Sequence, residues 1–184
     1  EAKDVLQTMQ KLYPRDGSPA GGNALLARVY QALEERQAEW ETLKRLAEIS
    51  PDSVEVFGRL TDLAKEKEDW EQVRLYAEQW LAVNPLTPEP HRRLAAAAEQ
   101  LNENALAADS FRAILALGPF DPAQAHFELA KALARLGKLD EAKREVLQAL
   151  EETPRFDAAQ KLLLELVDKN NESESQPESE QASD

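Results

Sequence analysis

The chain has 184 residues, 35 acidic against 22 basic, a formal charge of −13 and no cysteine. So acidic a composition argues against nucleic acid as the main partner, because phosphate binding needs a basic surface. No run approaches the roughly 20 apolar residues that cross a bilayer, so membrane insertion is not expected. Without cysteine there is no disulfide, thiol nucleophile or thiolate-ligated zinc, and the compartment stays open.

In chain order, residues 1–14 predict one helix, with Ala2, Leu6 and Met9 at helical spacing and Pro14 closing it. Residues 15–22 (RDGSPAGG) predict a glycine-rich connection. Four units follow, 20–53, 54–87, 88–122 and 123–156. Each predicts a pair of helices: the first of each pair at 20–33, 54–67, 89–101 and 123–136, the second at 38–49, 70–83, 105–117 and 140–152. Residues 157–169 carry Leu162, Leu163, Leu166 and Val167 at helical spacing and predict a capping helix. Residues 170–184 hold five acidic residues, no basic one and no large apolar one, and are expected to be disordered.

The units are set by Pro14, Pro51, Pro85, Pro119 and Pro154, which are 37, 34, 34 and 35 residues apart. Such a period belongs to repeat arrays of helix pairs, in which each unit buries its apolar stripe against its neighbours. Aligned on the prolines, position 7 reads Leu26, Leu60, Leu94, Leu129 and position 8 reads Ala27, Thr61, Ala95, Ala130. Position 20 reads Glu39, Val73, Ala107, Ala142; position 24 reads Leu43, Ala77, Phe111, Val146; position 27 reads Leu46, Trp80, Ile114, Ala149. This pattern resembles the tetratricopeptide repeat (TPR), whose consensus has small residues at positions 8, 20 and 27 and proline at 32. The last unit fits best and the first worst, since Glu39 stands where a small residue belongs. A one-residue shift of that helix would put Ala38 there instead. The resemblance implies an all-α solenoid of antiparallel helix pairs. Residues 1–14 then read as the second helix of a truncated repeat, so the chain is expected to be a piece of a longer array. An apolar face uncovered at that end is expected to support homo-oligomer contacts.

Candidate chemistry is sparse. His91 and His126 share position 4 but lie a whole repeat apart, and are expected to fill the half-buried aromatic slot that Phe57 fills in its unit. Acidic pairs such as Glu34-Glu35 read as solvated helix faces. No glycine-rich phosphate loop, serine nucleophile motif or zinc-helix motif occurs, so no catalytic residue, metal or cofactor is implied. Trp70 and Trp80 are expected in the packed core, and the register of Trp40 is open.

In proteins resembling TPRs, positions 2, 5, 9, 12 and 13 of the first helix line a concave groove. Here Arg92 falls at 5, Arg28 and Lys131 at 9 and Arg135 at 13, with Arg59 and Arg93 at position 6 on its margin. A basic minority in an acidic chain, recurring at one place, is expected to recognise an acidic peptide through paired guanidinium donors. The acidic tail is itself a candidate occupant. The alternative is ordinary surface ion pairing. The carboxylate clamp of chaperone-tail TPR domains is not expected: position 9 reads Arg28, Asp62, Ala96, Lys131 and position 6 reads Leu25, Arg59, Arg93, Glu128, without the clamp's asparagines. The stretches VNPLTPEPHRRLAAAAEQL and EETPRFDAAQKLLLEL are also similar to C-terminal TPR regions of large bacterial proteins with an MA-clan, gluzincin-like peptidase module. The expected function is a non-catalytic protein–protein interaction scaffold. The alternative is an accessory substrate-positioning domain of a larger enzyme, such as a bacterial peptidase.

Overall fold

The computed structural model describes residues 2–174, and among them only helices occur as regular secondary structure. They are α1 (Ala2–Leu12), α2 (Gly22–Ala32), α3 (Arg36–Ile49), α4 (Val54–Glu66), α5 (Trp70–Val83), α6 (Pro88–Gln100), α7 (Asn104–Ala116), α8 (Pro122–Arg135), α9 (Leu139–Glu152) and α10 (Asp157–Glu174). Each lies where the proline-framed alignment places a helix, with ends displaced by a residue or two except in α10. That helix runs through residues 170–174, past the end expected at 169. The segment NNESE holds no proline or glycine, and the next breaker is Pro177. The rest of the expected acidic tail, 175–184, lies outside the described residues.

The chain divides into two compact units, residues 1–97 and 98–184. In the first, α1 packs on α2, α2 on α3, α3 on α4 and α4 on α5. Its main core joins Ala27, Leu43 and Leu46 of the first repeat to Phe57, Leu60, Leu63 and Tyr76 of the second. A smaller cluster of Ala64, Val73 and Ala97 has Trp40 and Trp70 packed against it. Trp40, whose register the sequence leaves open, also touches the main core and meets Tyr76 edge to face at 5.6 Å. In the second unit α7 packs on α8, α8 on α9, and α10 on both α8 and α9. There Leu129, Leu133, Ala142, Val146, Ala149 and Leu166 are buried.

The turn inside each pair is built the same way four times. Glu34, Glu68, Asn102 and Gly137 all stand at repeat position 15, and all have positive φ, between 56 and 74°. The residue after each donates its N–H five residues back: Glu35 to Tyr30 O, Asp69 to Ala64 O, Glu103 to Ala98 O and Lys138 to Leu133 O, at 2.8–3.0 Å. This is the Schellman arrangement, which satisfies carbonyls left open at the end of a first helix. Second helices start just after it, and Asp69 accepts the Gln72 N–H as an N-cap for α5.

Two expectations about packing change. Trp80, like Trp70, is half-buried, not buried. The indole is too large for a slot that suits a small residue. It lies over Gly58, where an added Cβ would come within 3.3 Å of the ring, and its buried Nε1–H has no hydrogen-bond partner. The shift of the second helix that would bring Ala38 to position 20 does not occur. Glu39 occupies that place, with 1 % of its surface exposed, while Ala38 is half-buried.

Asn23 takes position 4 in the first repeat and is also fully buried. Its amide donates to the Asp16 carbonyl at 3.0 Å and accepts from Gln10 Nε2 at 2.9 Å. This ties α1 and the glycine-rich connection to the start of α2. Val5 and Leu12 of α1, and Tyr13 just after it, are exposed.

Candidate functional site

The first helices carry the candidate residues. In the first unit, Arg59 of α4 reaches back to the second helix of the preceding repeat. Its Nε donates to Glu39 Oε1 at 2.6 Å and its Nη2 to Oε2 at 3.1 Å. Arg36 adds a contact to Glu39 Oε2 at 3.4 Å. The hydrogen bond to Glu39 raises the Arg59 pKa above its ordinary value, against the opposing effect of burial. A two-point guanidinium–carboxylate fork fixes direction as well as distance, so this pair sets the register of α4 on α3. Arg93 does similar work one repeat on, held by Asp62 at 2.9 Å and Glu89 at 2.8 Å.

Arg28, Arg92 and Arg135 are held more loosely, whereas Lys131 is closely paired. Arg28 meets Glu55 at 3.2 Å and Arg92 meets Glu89 at 3.7 Å. In the second unit Arg135 meets Glu99 at 3.3 Å, while Lys131 binds Glu128 and approaches Glu99 at 3.8 Å. Side-chain exposure is 51 % for Arg28, 48 % for Arg92 and 46 % for Arg135, against 21 % for Arg59, 25 % for Arg93 and 31 % for Lys131. All six therefore have acidic partners, but only Arg59 and Arg93 are built into the packing between repeats. Arg28, Arg59, Arg92 and Arg93 belong to the first unit, Lys131 and Arg135 to the second.

Two cavities open among these side chains in the first unit. One, of about 200 Å³, lies among α2, α3 and α4 and is lined by Ala24, Ala27, Leu43, Leu46 and Val56, with Arg28, Arg59, Glu39 and Glu55 as its charged groups. Gly17 and Pro19 of the connection also line it, and Ser50 Oγ donates to the Gly17 carbonyl at 3.0 Å. The other, of about 270 Å³, is lined by Lys65, Trp70, Val73, Glu89, Arg92, Arg93 and Ala96. The two share four repeat positions: Gln31 and Lys65 stand at 12 and Glu39 and Val73 at 20 of the earlier repeat, Glu55 and Glu89 at 2 and Arg59 and Arg93 at 6 of the later one. Ala24 and Arg28 extend the first cavity onto the earlier first helix, whereas Arg92 and Ala96 extend the second onto the later one.

Lys65 and Glu39 were not among the residues singled out from sequence. Lys65 sits at position 12, one of the groove positions, so its signal was present. Glu39 was visible only as a misfit to the pattern. The histidines are both half-buried, but the slot they were expected to share is not: Phe57 and Asn23 at the same repeat position are fully buried. His91 Nε2 lies 3.0 Å from the Pro85 carbonyl and His126 Nδ1 lies 2.7 Å from Glu145 Oε2. Among the described residues no group of three or more His, Asp or Glu is placed to hold a metal ion, and no helix is long and apolar enough to cross a membrane.

Helix pairs of this length, this turn and this packing define an all-α, TPR-type solenoid fold. The tetratricopeptide repeat family model matches residues 123–156, the repeat closest to the consensus. Among solved structures, the chain is similar to YrrB, described as a TPR protein with an unusual peptide-binding site, with a TM-score of 0.70 and 16 % identity over 92 % of this chain and 85 % of that one. The crystal structure of MamA protein gives a TM-score of 0.68 and 13 % identity, covering 95 % and 86 %. The first TPR of Spaghetti (RPAP3), bound to the HSP90 peptide SRMEEVD, gives 0.57 and 19 %, covering 64 % and 93 %. No curated protein sequence matches the chain. The tetratricopeptide part of the sequence resemblance thus has support, while the peptidase-linked part has none in these matches.

Proposed function

We propose that this chain is a non-catalytic protein–protein interaction scaffold, each of whose two units by itself takes an extended acidic peptide on its first helices. Arg28 and Arg92 make the contacts in the first unit and Lys131 and Arg135 in the second, with Arg59 and Arg93 at the margin. The observation that carries this reading is the loose, half-exposed pairing of Arg28 with Glu55 and of Arg92 with Glu89. A ligand carboxylate can replace an exposed counter-ion of this kind without leaving a buried charge behind. YrrB and the Spaghetti TPR, two proteins of like fold described with peptide sites, support a peptide as the partner class.

The test is a titration with a fluorescent acidic peptide, read by anisotropy. Arg92→Glu and Lys131→Glu are each expected to weaken binding by roughly fivefold, the scale of one exposed ion pair turned repulsive. Unchanged affinity in both variants would leave these charges as surface decoration.

A further inference from the structure

The two cavities of the first unit share four repeat positions (12 and 20 of one repeat, 2 and 6 of the next), yet their charge differs. In the first, Arg28 and Arg59 face Glu39 and Glu55, so the lining is balanced. Its floor is apolar, with Ala27, Leu43, Leu46 and Val56 all buried. In the second, Val73 replaces Glu39 at position 20, and Lys65, Arg92 and Arg93 face the single carboxylate of Glu89. Asp62 adds one negative charge against Arg93 from outside that cavity, and a positive surplus still remains. Lys65 is exposed and has no carboxylate partner among the described residues. Trp70 supplies an aromatic wall.

Building on the peptide reading above, we infer that the first unit selects a peptide with an aliphatic side chain and a carboxylate about three residues apart. The aliphatic group enters the cavity floored by Leu43 and Leu46, and the carboxylate meets Lys65 and Arg92. The spacing follows from geometry. The cavities repeat along successive first helices, α2 to α4 and α4 to α6, which are bridged by the Arg28–Glu55 and Arg93–Asp62 pairs. Side-by-side helices lie about 10 Å apart, and an extended chain advances about 3.3 Å per residue. At about 200 Å³ the first cavity is below the roughly 300 Å³ at which drug-sized ligand sites begin, which suits one side chain. The polarity of the second excludes the aliphatic group and favours the anion, because an unpaired ammonium and a half-exposed guanidinium gain a charge-assisted partner there.

The experiment is anisotropy with a labelled peptide panel carrying one leucine and one glutamate, separated by increasing numbers of glycine and serine. Binding is expected to be tightest with about two residues between them. At that spacing, Leu→Gly weakens binding roughly tenfold and Glu→Gln roughly fivefold. Lys65→Glu abolishes the preference for glutamate over glutamine and keeps the preference for leucine. Lys65 is exposed and unpaired, so this variant retains the fold, checked by circular dichroism. Ala24→Leu, at the rim of the first cavity, does the reverse. Equal binding at every spacing, or a glutamate preference that survives Lys65→Glu, overturns the inference while leaving acidic-peptide binding intact. Failure of every acidic peptide to bind overturns both.

Discussion

Glu39 stands where the other repeats carry Val73, Ala107 and Ala142, and all four side chains are buried. A carboxylate can sit there because Arg59 closes on both its oxygens, so neither charge is left unpaired. Removing one partner strands the other. Glu39→Ala, although it restores the small residue of the consensus, is expected to lower stability by about 2 kcal/mol. This is below the full penalty for a buried charge, because Arg59 keeps some access to solvent and to Glu66 at 4.0 Å. The double variant Glu39→Ala, Arg59→Met should recover most of that loss. Urea midpoints of the two variants check both statements, and a single variant as stable as the parent would count against them. Ala142 is the opposite case, with no room and no partner: Ala142→Arg should destabilise the second unit by several kcal/mol, about 3 or more, measured as a drop in melting temperature. The sequence showed that position 20 is special and that Glu39 departs from it. It did not show the remedy, because Arg59 lies 20 residues away and only the packed helices bring the two together. Lys65 was legible by position, but its lack of a partner is a fact of three-dimensional pairing.

At the scale of the element, the turn at position 15 is the most uniform part of the molecule. Four residues adopt the left-handed conformation there, and only Gly137 does so without steric conflict. For Glu34, Glu68 and Asn102 the Schellman bonds hold the backbone in place at some cost from Cβ. Glu68→Gly is therefore expected to gain about 0.5 kcal/mol, and Gly137→Ala to lose about 1 kcal/mol, since an added methyl meets open space but the wrong φ. Chemical denaturation of the two variants should show opposite shifts; a loss in both would mean that the turn is held by side-chain contacts instead. Helix positions were legible because proline and the apolar stripe mark them. The end of α10 was not, because residues 170–174 lack the apolar spacing that marks a helix, whereas acidic and amide residues without a breaker can extend a helix that is already nucleated. The partial exposure of Trp80 was missed for a related reason: an alignment assigns a slot but not its volume.

For the molecule as a whole, the period of 34 residues made the fold class readable, and the match at residues 123–156 falls on the repeat with the clearest consensus. The division into two units at residue 97 left no mark in that period, since it falls inside α6. The candidate site was legible only as a set of positions, because every cation named from sequence proved to have an acidic neighbour, and strength of pairing cannot be read from a linear chain. Net charge gives a test at this scale. With a formal charge of −13 the folded chain repels itself. Raising salt from 0.1 to 1 M shortens the screening length from about 10 Å to about 3 Å. Exposed pairs such as Arg28–Glu55 contribute little and lose little, whereas the summed repulsion of the acidic excess is relieved. Stability should therefore rise with salt, by roughly 2–4 °C in melting temperature if about 1 kcal/mol is recovered. Under the proposed function, affinity for an acidic peptide should fall over the same range, because the proposed contacts run through charges open to solvent. Opposite slopes in melting temperature and in peptide affinity, measured in one salt series, would separate the charges that recognise a partner from those that hold the helices. Parallel losses would mean that Arg28, Arg92, Lys131 and Arg135 serve the fold and not the ligand.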